Sequence, residues 1–250
     1  MDDGAIIEVR GLTAAYGDDV ILKDVSFEVS RGEVFVVLGG SGCGKSTLLK
    51  HLIGLYRLAS GEVLIDGENL ATATGADRQR ILRRFGVAYQ SGALFGSMTL
   101  SENVTLPIEE FTRLPLAARE VISWMKLKLV GLEAFGNHLP AEVSGGMQKR
   151  AAIARAMALD PAVLFLDEPS AGLDPVTSAE LDALILELRE ALGMTFVIVT
   201  HELASIYAVA DRVIMLDRSK KGIIAEGHPQ ELRDHSTDPY VRRFFRREAE

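Results

Sequence analysis

Nine residues, Gly39-Gly40-Ser41-Gly42-Cys43-Gly44-Lys45-Ser46-Thr47, constrain this chain more than any other stretch. They satisfy the spacing G-x-x-x-x-G-K-[ST], and their flanks give that pattern meaning. An apolar run, Val34-Phe35-Val36-Val37-Leu38, leads in and reads as a buried strand, while Leu48-Leu49-Lys50-His51-Leu52-Ile53 leads out as a helix. Glycines let successive backbone N–H groups converge on one anion. A helix opening at Lys45 turns the positive end of its dipole toward the same point. Lys45 would then reach the β- and γ-phosphates of a nucleotide, and the Ser46 hydroxyl would ligate Mg²⁺. The expectation is a nucleoside triphosphate site.

The 250 residues are 48% hydrophobic and 25% charged, enough apolar material for one large domain or two small ones. No apolar stretch approaches the roughly 18–20 residues of a membrane span. The start, Met1-Asp2-Asp3-Gly4, is acidic and lacks the apolar segment of a secretory leader. Cys43 is the single cysteine, so no internal disulfide can form, which fits a reducing compartment. A formal charge of −8 argues against broad nucleic-acid binding.

Three regions separate along the chain. Ile6–Arg10, Val25–Val29 and Glu62–Asp66 read as strands. Residues 92–158 carry little strand signal; helices near 101–110, 115–130 and 144–158 are divided by Pro107, Gly131 and Pro140, as in a helical subdomain inserted into an α/β core. From residue 161 strands and helices alternate. Val163–Leu166 and Thr195–Val199 are apolar throughout, and a final strand pair is expected at 212–217 and 222–226. Between them a helix starts at Pro175 behind the N-cap Asp174, with Leu181, Leu184, Ile185, Leu188 and Leu192 expected to face the core. Such alternation predicts a mostly parallel sheet covered on both faces.

Two further features carry chemistry. Asp167 and Glu168 end a strand that is otherwise apolar, so their carboxylates need a metal, water or another partner. Asp167 suits Mg²⁺ and Glu168 suits a general base acting on water. Ser144-Gly145-Gly146 opens a second helix and offers a second anion site. One nucleotide does not need two helix starts approaching from opposite sides, so the second serves the nucleotide of another copy.

In this order the motifs resemble the nucleotide-binding subunits of ABC transporters, over residues 6–228. The resemblance implies a P-loop NTPase (RecA-like) core with an antiparallel β subdomain and an inserted helical subdomain at about 92–158. It implies Tyr16 as the aromatic that stacks on adenine, Gly39–Thr47 as the Walker A loop, and Gln90 as the residue touching Mg²⁺ and the attacking water. Val143–Met147 corresponds to the signature motif, Asp167–Glu168 to Walker B, and Gly172-Leu173-Asp174 to the loop crossing the dimer seam. His201 corresponds to the switch histidine at the γ-phosphate. Three positions depart from the usual pattern: Gly40 where proline is frequent, Val143 where leucine is usual, and Met147 where glutamine is commonest. Cys43 lies among the cradle amides, an environment expected to lower a thiol pKa.

Finer detail resembles one branch, the Mla-type ATPases of lipid transporters that work with MCE-domain proteins. It lies in Ser91-Gly92-Ala93-Leu94-Phe95, Asn103-Val104-Thr105-Leu106-Pro107, Ser144-Gly145-Gly146-Met147 and Thr200-His201-Glu202-Leu203. The branch implies an ATP-sandwich homodimer on the cytoplasmic face of the inner membrane, bound to permease subunits, an MCE-domain protein and a small accessory subunit. Leu94, Phe95 and Met98 would meet the permease. The tail at 229–250 combines Arg233, Arg242, Arg243, Arg246 and Arg247 with Tyr240, Val241, Phe244 and Phe245, and would contact the partner ATPase, the accessory subunit or lipid headgroups. An importer of amino acids or another small solute is the competing expectation. A soluble ATPase acting on DNA or ribosomes would carry a coiled-coil insert or a second fused ATPase domain, and the chain has neither.

Overall fold

The computed structural model describes residues 4–17 and 19–248. Met1 to Asp3, on which the expectation about a leader rests, and the last two residues of the tail lie outside the described residues. The chain divides into two compact units, one running to Leu82 and resuming at Thr195, the other Arg83–Met194.

The first unit opens with β1 (Ala5–Tyr16), β2 (Asp19–Ser30), β3 (Val34–Gly39), α1 (Lys45–Leu52), β4 (Ser60–Ile65), β5 (Glu68–Asn69) and α2 (Gly75–Leu82). The second unit holds β6 (Phe85–Ala88), α3 (Leu100–Phe111), α4 (Leu116–Leu129), α5 (Gly145–Ala156), β7 (Val163–Asp167) and α6 (Pro175–Leu192). The chain then returns to the first unit through β8 (Thr195–Val199), α7 (Leu203–Val209), β9 (Arg212–Asp217), β10 (Gly222–Gly227), α8 (Pro229–His235) and α9 (Pro239–Arg246).

In the first unit, β3 is buried along its whole length and pairs in parallel with β8 on one side and β9 on the other. Strands buried on both faces read as unbroken apolar runs, which is why both β3 and β8 were visible in the sequence. β10 adds an antiparallel edge to β9. A separate antiparallel sheet has the order β2-β1-β4-β5. β1 and β2 are longer than their apolar alternation suggests. Register shifts between Val9 and Leu12, and again between Leu12 and Ala14, break the period of two without ending the ladder.

In the second unit β6 and β7 pair in parallel. Its helices fall where the sequence placed them. Thr99 caps α3 in a reciprocal box with Glu102. Asp174 caps α6, accepting from the backbone N–H groups of Val176 and Thr177. Leu181, Leu184, Ile185 and Leu188 are buried, but Leu192 is 47% exposed, because it lies in the last turn of α6 where the chain leaves through Gly193 at φ 65°.

Candidate functional site

β3 delivers the chain to Gly39 at φ 147°, a backbone conformation that needs glycine. A Cβ there would lie 2.4 Å from the Leu216 carbonyl oxygen and 2.7 Å from the Cys43 Sγ, so the turn admits no side chain. α1 starts at Lys45 with Gly44 as its N-cap at φ 102°, as the sequence predicted. The Lys45 ammonium folds back over the loop and donates to the carbonyl oxygens of Gly39 at 2.8 Å and Gly40 at 3.2 Å. Ser41, Gly42 and Ser46 are exposed, Gly40, Lys45 and Thr47 half-buried. Cys43 corrects an expectation. Its side chain is buried beneath the loop, and desolvation raises the thiol pKa against the opposing pull of Lys45 and the loop amides. Gly40 has a neighbour from the far end of the chain: a Cβ there would meet the Tyr240 hydroxyl of α9 at 3.1 Å.

Tyr16 stands at the end of β1, about half exposed, its ring perpendicular to that of Tyr56 with centroids 5.8 Å apart. His201 is exposed in the turn between β8 and α7, where the Thr200 hydroxyl accepts from the Glu202 N–H. All of these belong to the first unit.

The second unit gathers Gln90, Asp167 and Glu168. A cavity of about 520 Å³ is lined by Tyr89, Gln90, Ser91, Asp167, Ala171 and Gly172. Gln90 is exposed, while Asp167 and Glu168 are half-buried at the end of β7. Burial, and then the negative charge of Asp167, push the Tyr89 hydroxyl pKa up. Glu168 sits at φ 46°, unusual for a residue with a side chain, and its carbonyl oxygen accepts from the Ala171 N–H and the Lys149 ammonium. Burial lowers the Lys149 pKa, while Asp167 and Glu168 favour its charge. Lys149 also donates to the Gln90 carbonyl.

Ser144 caps α5 by accepting from the Met147 N–H at 3.3 Å. The segment entering α5 is steadied by the Gln148 side-chain amide, which donates to the Pro140 and Val143 carbonyls. Gly146 is sterically required: a Cβ would lie 2.5 Å from the Thr177 Cγ2 of α6. Ser144 and Gly145 are exposed, leaving the start of α5 open to a ligand. Asp174 holds Val176 and Thr177, and these bonds, led by the Thr177 hydroxyl, keep its carboxyl below the usual range.

Three residues that sequence reasoning did not single out for a site organise the loop after Gln90. Arg155 donates to the carbonyls of Ala93 at 2.7 Å and Gly92 at 2.9 Å. Lys149 holds Gln90, as above. Asn103, fully buried, accepts from the Phe95 N–H and donates to the carbonyls of Phe95, Met98 and Thr99. Phe95 is 53% exposed at the tip of this clamped loop, with Leu94 and Met98 half-buried beside it. The sequence signals for Asn103 were its place in the run Asn103–Pro107 and a polar residue among the apolar positions of α3.

The tail is partly committed to its own unit. Val241 and Phe245 of α9 are buried, and the Tyr207 hydroxyl donates to the Phe245 carbonyl at 2.9 Å. Tyr240 and Phe244 remain partly accessible. Among the described residues no helix is long and apolar enough to cross a membrane.

Comparison with known proteins places this arrangement. The ABC transporter family profile matches residues 22–171. The chain is 43% identical over 245 residues to the probable ribonucleotide transport ATP-binding protein mkl of Mycobacterium leprae, covering 98% of this chain and 70% of that one. It is 38% identical over 240 residues to the intermembrane phospholipid transport system ATP-binding protein MlaF of Escherichia coli K12, covering 96% and 88%. Among solved structures, cbiO1 of Clostridium perfringens, part of the transporter complex cbiONQ, aligns with a TM-score of 0.84 at 30% identity, covering 92% and 91%. The ATP-binding cassette MJ0796, solved as a dimer with ADP and Pi, aligns at 0.79 and 31%, covering 89% and 98%. The P-loop fold, the ordered motifs and this likeness agree: the chain is an ATP-binding, ATP-hydrolysing subunit of the ABC transporter family.

Proposed function

We propose that this ATPase powers movement of phospholipid or a related lipid between the inner membrane and the outer envelope of a Gram-negative cell. The observation that carries the proposal is the 38% identity, over nearly the whole chain, to a protein named for intermembrane phospholipid transport. It acts as a homodimer on the cytoplasmic face of the inner membrane, bound to permease subunits and an MCE-domain protein, with a small accessory subunit as a further partner. The exposed Phe95, on a loop whose backbone Asn103 and Arg155 immobilise, supports docking of a permease there.

Each site residue takes a role in ATP binding or hydrolysis. Tyr16 stacks on adenine. The N–H groups of Gly39–Thr47 hold the phosphates, and Lys45 exchanges the carbonyls of Gly39 and Gly40 for phosphate oxygens. Ser46, Gln90 and Asp167 offer hydroxyl, amide and carboxylate oxygens, a donor set that suits Mg²⁺, which when bound neutralises phosphate charge. Glu168 accepts the proton of the attacking water, and His201 contacts the γ-phosphate. Ser144, Gly145 and Gly146 close on the nucleotide of the second copy with the start of α5, and Asp174 lies at the seam.

The 43% identity to a protein named for ribonucleotide transport favours a second reading, in which the cargo is a ribonucleotide or another small solute. Purification of the intact complex through this chain separates the two. Recovery of a permease and an MCE-domain protein, with phospholipid identified by mass spectrometry, is the expected result. Recovery of a soluble solute-binding protein without lipid enrichment would overturn the lipid assignment.

A further inference from the structure

We infer that Tyr56 is a positioning residue for adenine recognition: it braces the Tyr16 ring and couples it to the helix that starts at the phosphate loop. The inference rests on the proposed role of Tyr16 as the adenine platform. An exposed tyrosine at a strand end has free rotamers to lose when a base stacks on it, and a platform fixed in advance loses less. Tyr16 has such a fixing partner. Its ring meets that of Tyr56 at 85° with centroids 5.8 Å apart, the edge-to-face geometry that aromatic pairs favour.

Tyr56 is itself held by α1. Its N–H donates to the Lys50 carbonyl at 3.2 Å, beside a matching bond from Leu55 at 2.8 Å. Gly54, at φ 68°, supplies the left-handed turn that lets the chain reverse there. The Lys50 ammonium lies 5.5 Å from the Tyr56 ring centroid, and the His51 ring packs at 5.9 Å. His51 is buried, and its Nδ1 donates to the carbonyl of Thr47, the last residue of the phosphate loop, at 2.7 Å. A continuous chain of contacts therefore runs Thr47, His51, Tyr56, Tyr16. It ties the strand that carries the base platform to the helix that carries the phosphate end, and every member lies in the first unit.

The test compares ATP with inorganic tripolyphosphate, which has the phosphates and no base, on the purified full-length chain. Tyr56→Leu is expected to weaken ATP binding about two- to tenfold, the worth of one aromatic pair, while tripolyphosphate binding is unchanged. Tyr56→Phe, which keeps the ring, is expected to bind both like the parent. In a Tyr16→Ala background, Tyr56→Leu should have no further effect on ATP. Equal loss for ATP and tripolyphosphate would overturn the inference, since that reports damage to α1, and so would no loss for either. If Tyr16→Ala alone leaves the preference for ATP over tripolyphosphate intact, the adenine role of Tyr16 fails first and the brace with it.

Discussion

Burial and charge act on Cys43 in opposite directions. Lys45 and the loop amides favour the thiolate, whereas enclosure under the loop disfavours it, and enclosure is the larger effect. With the pKa raised, the neutral thiol persists to higher pH than a free cysteine and offers little nucleophile near neutrality. Iodoacetamide labelling followed by mass spectrometry is therefore expected to be slower than for a free thiol at neutral pH. It should accelerate only as the pH passes above the ordinary thiol range. Once attached, the adduct is expected to abolish ATP binding through bulk, because even a Cβ at Gly39 would approach the Cys43 Sγ to 2.7 Å. Labelling as fast as a free thiol at neutral pH, or full ATP binding after complete labelling, would contradict this account. The amides around Cys43 are legible in the sequence as a motif. Its burial is not, and neither is the charge of Asp217, which ends β9 far along the chain and adds to the upward shift.

The loop between β6 and α3 is ordered by side chains that reach its backbone rather than by secondary structure. Asn103 accepts from one N–H, and the two hydrogens of its amide are shared among three carbonyls. Asn103→Ala is expected to reduce stability by about 1–3 kcal/mol, the cost of buried polar groups left without partners. Hydrolysis by the isolated protein should persist, while any change in hydrolysis on adding the permease should be lost. Rates measured with and without the permease check this; an unaltered permease response would show that the loop does not dock there. Most elements around this loop were legible from periodicity, capping and apolar runs. β6 was not, and Gly86 explains why: a Cβ there would lie 2.0 Å from the Ala156 carbonyl, so the closeness of α5 demands a residue that reads as a strand breaker. α2 was also missed, because only Ile81 of its eight residues is buried and no apolar stripe marks it.

Each compact unit contributes a helix start suited to an anion, α1 in one and α5 in the other, and the proposed dimer uses both. Glu168→Gln is expected to bind ATP and lose about 10²–10⁴ in hydrolysis rate, accumulating as a dimer with ATP. Lys45→Ala should stay monomeric in the same mixture because it fails to hold the nucleotide. Light scattering on a sizing column reads both outcomes, and wild-type hydrolysis by Glu168→Gln would remove Glu168 as the base. The approach of Tyr240 to Gly40 bears on how the tail is studied. Removing residues 238–250 to probe a protein interface would also take away Tyr240, whose hydroxyl stands beside Gly40 of the phosphate loop within the same subunit. A truncated chain that dimerises poorly would then have two possible lesions, one at its edge and one in its own nucleotide pocket. Tyr240→Phe, which trims a single oxygen and leaves Val241 and Phe245 seated, is the scalpel that tells them apart.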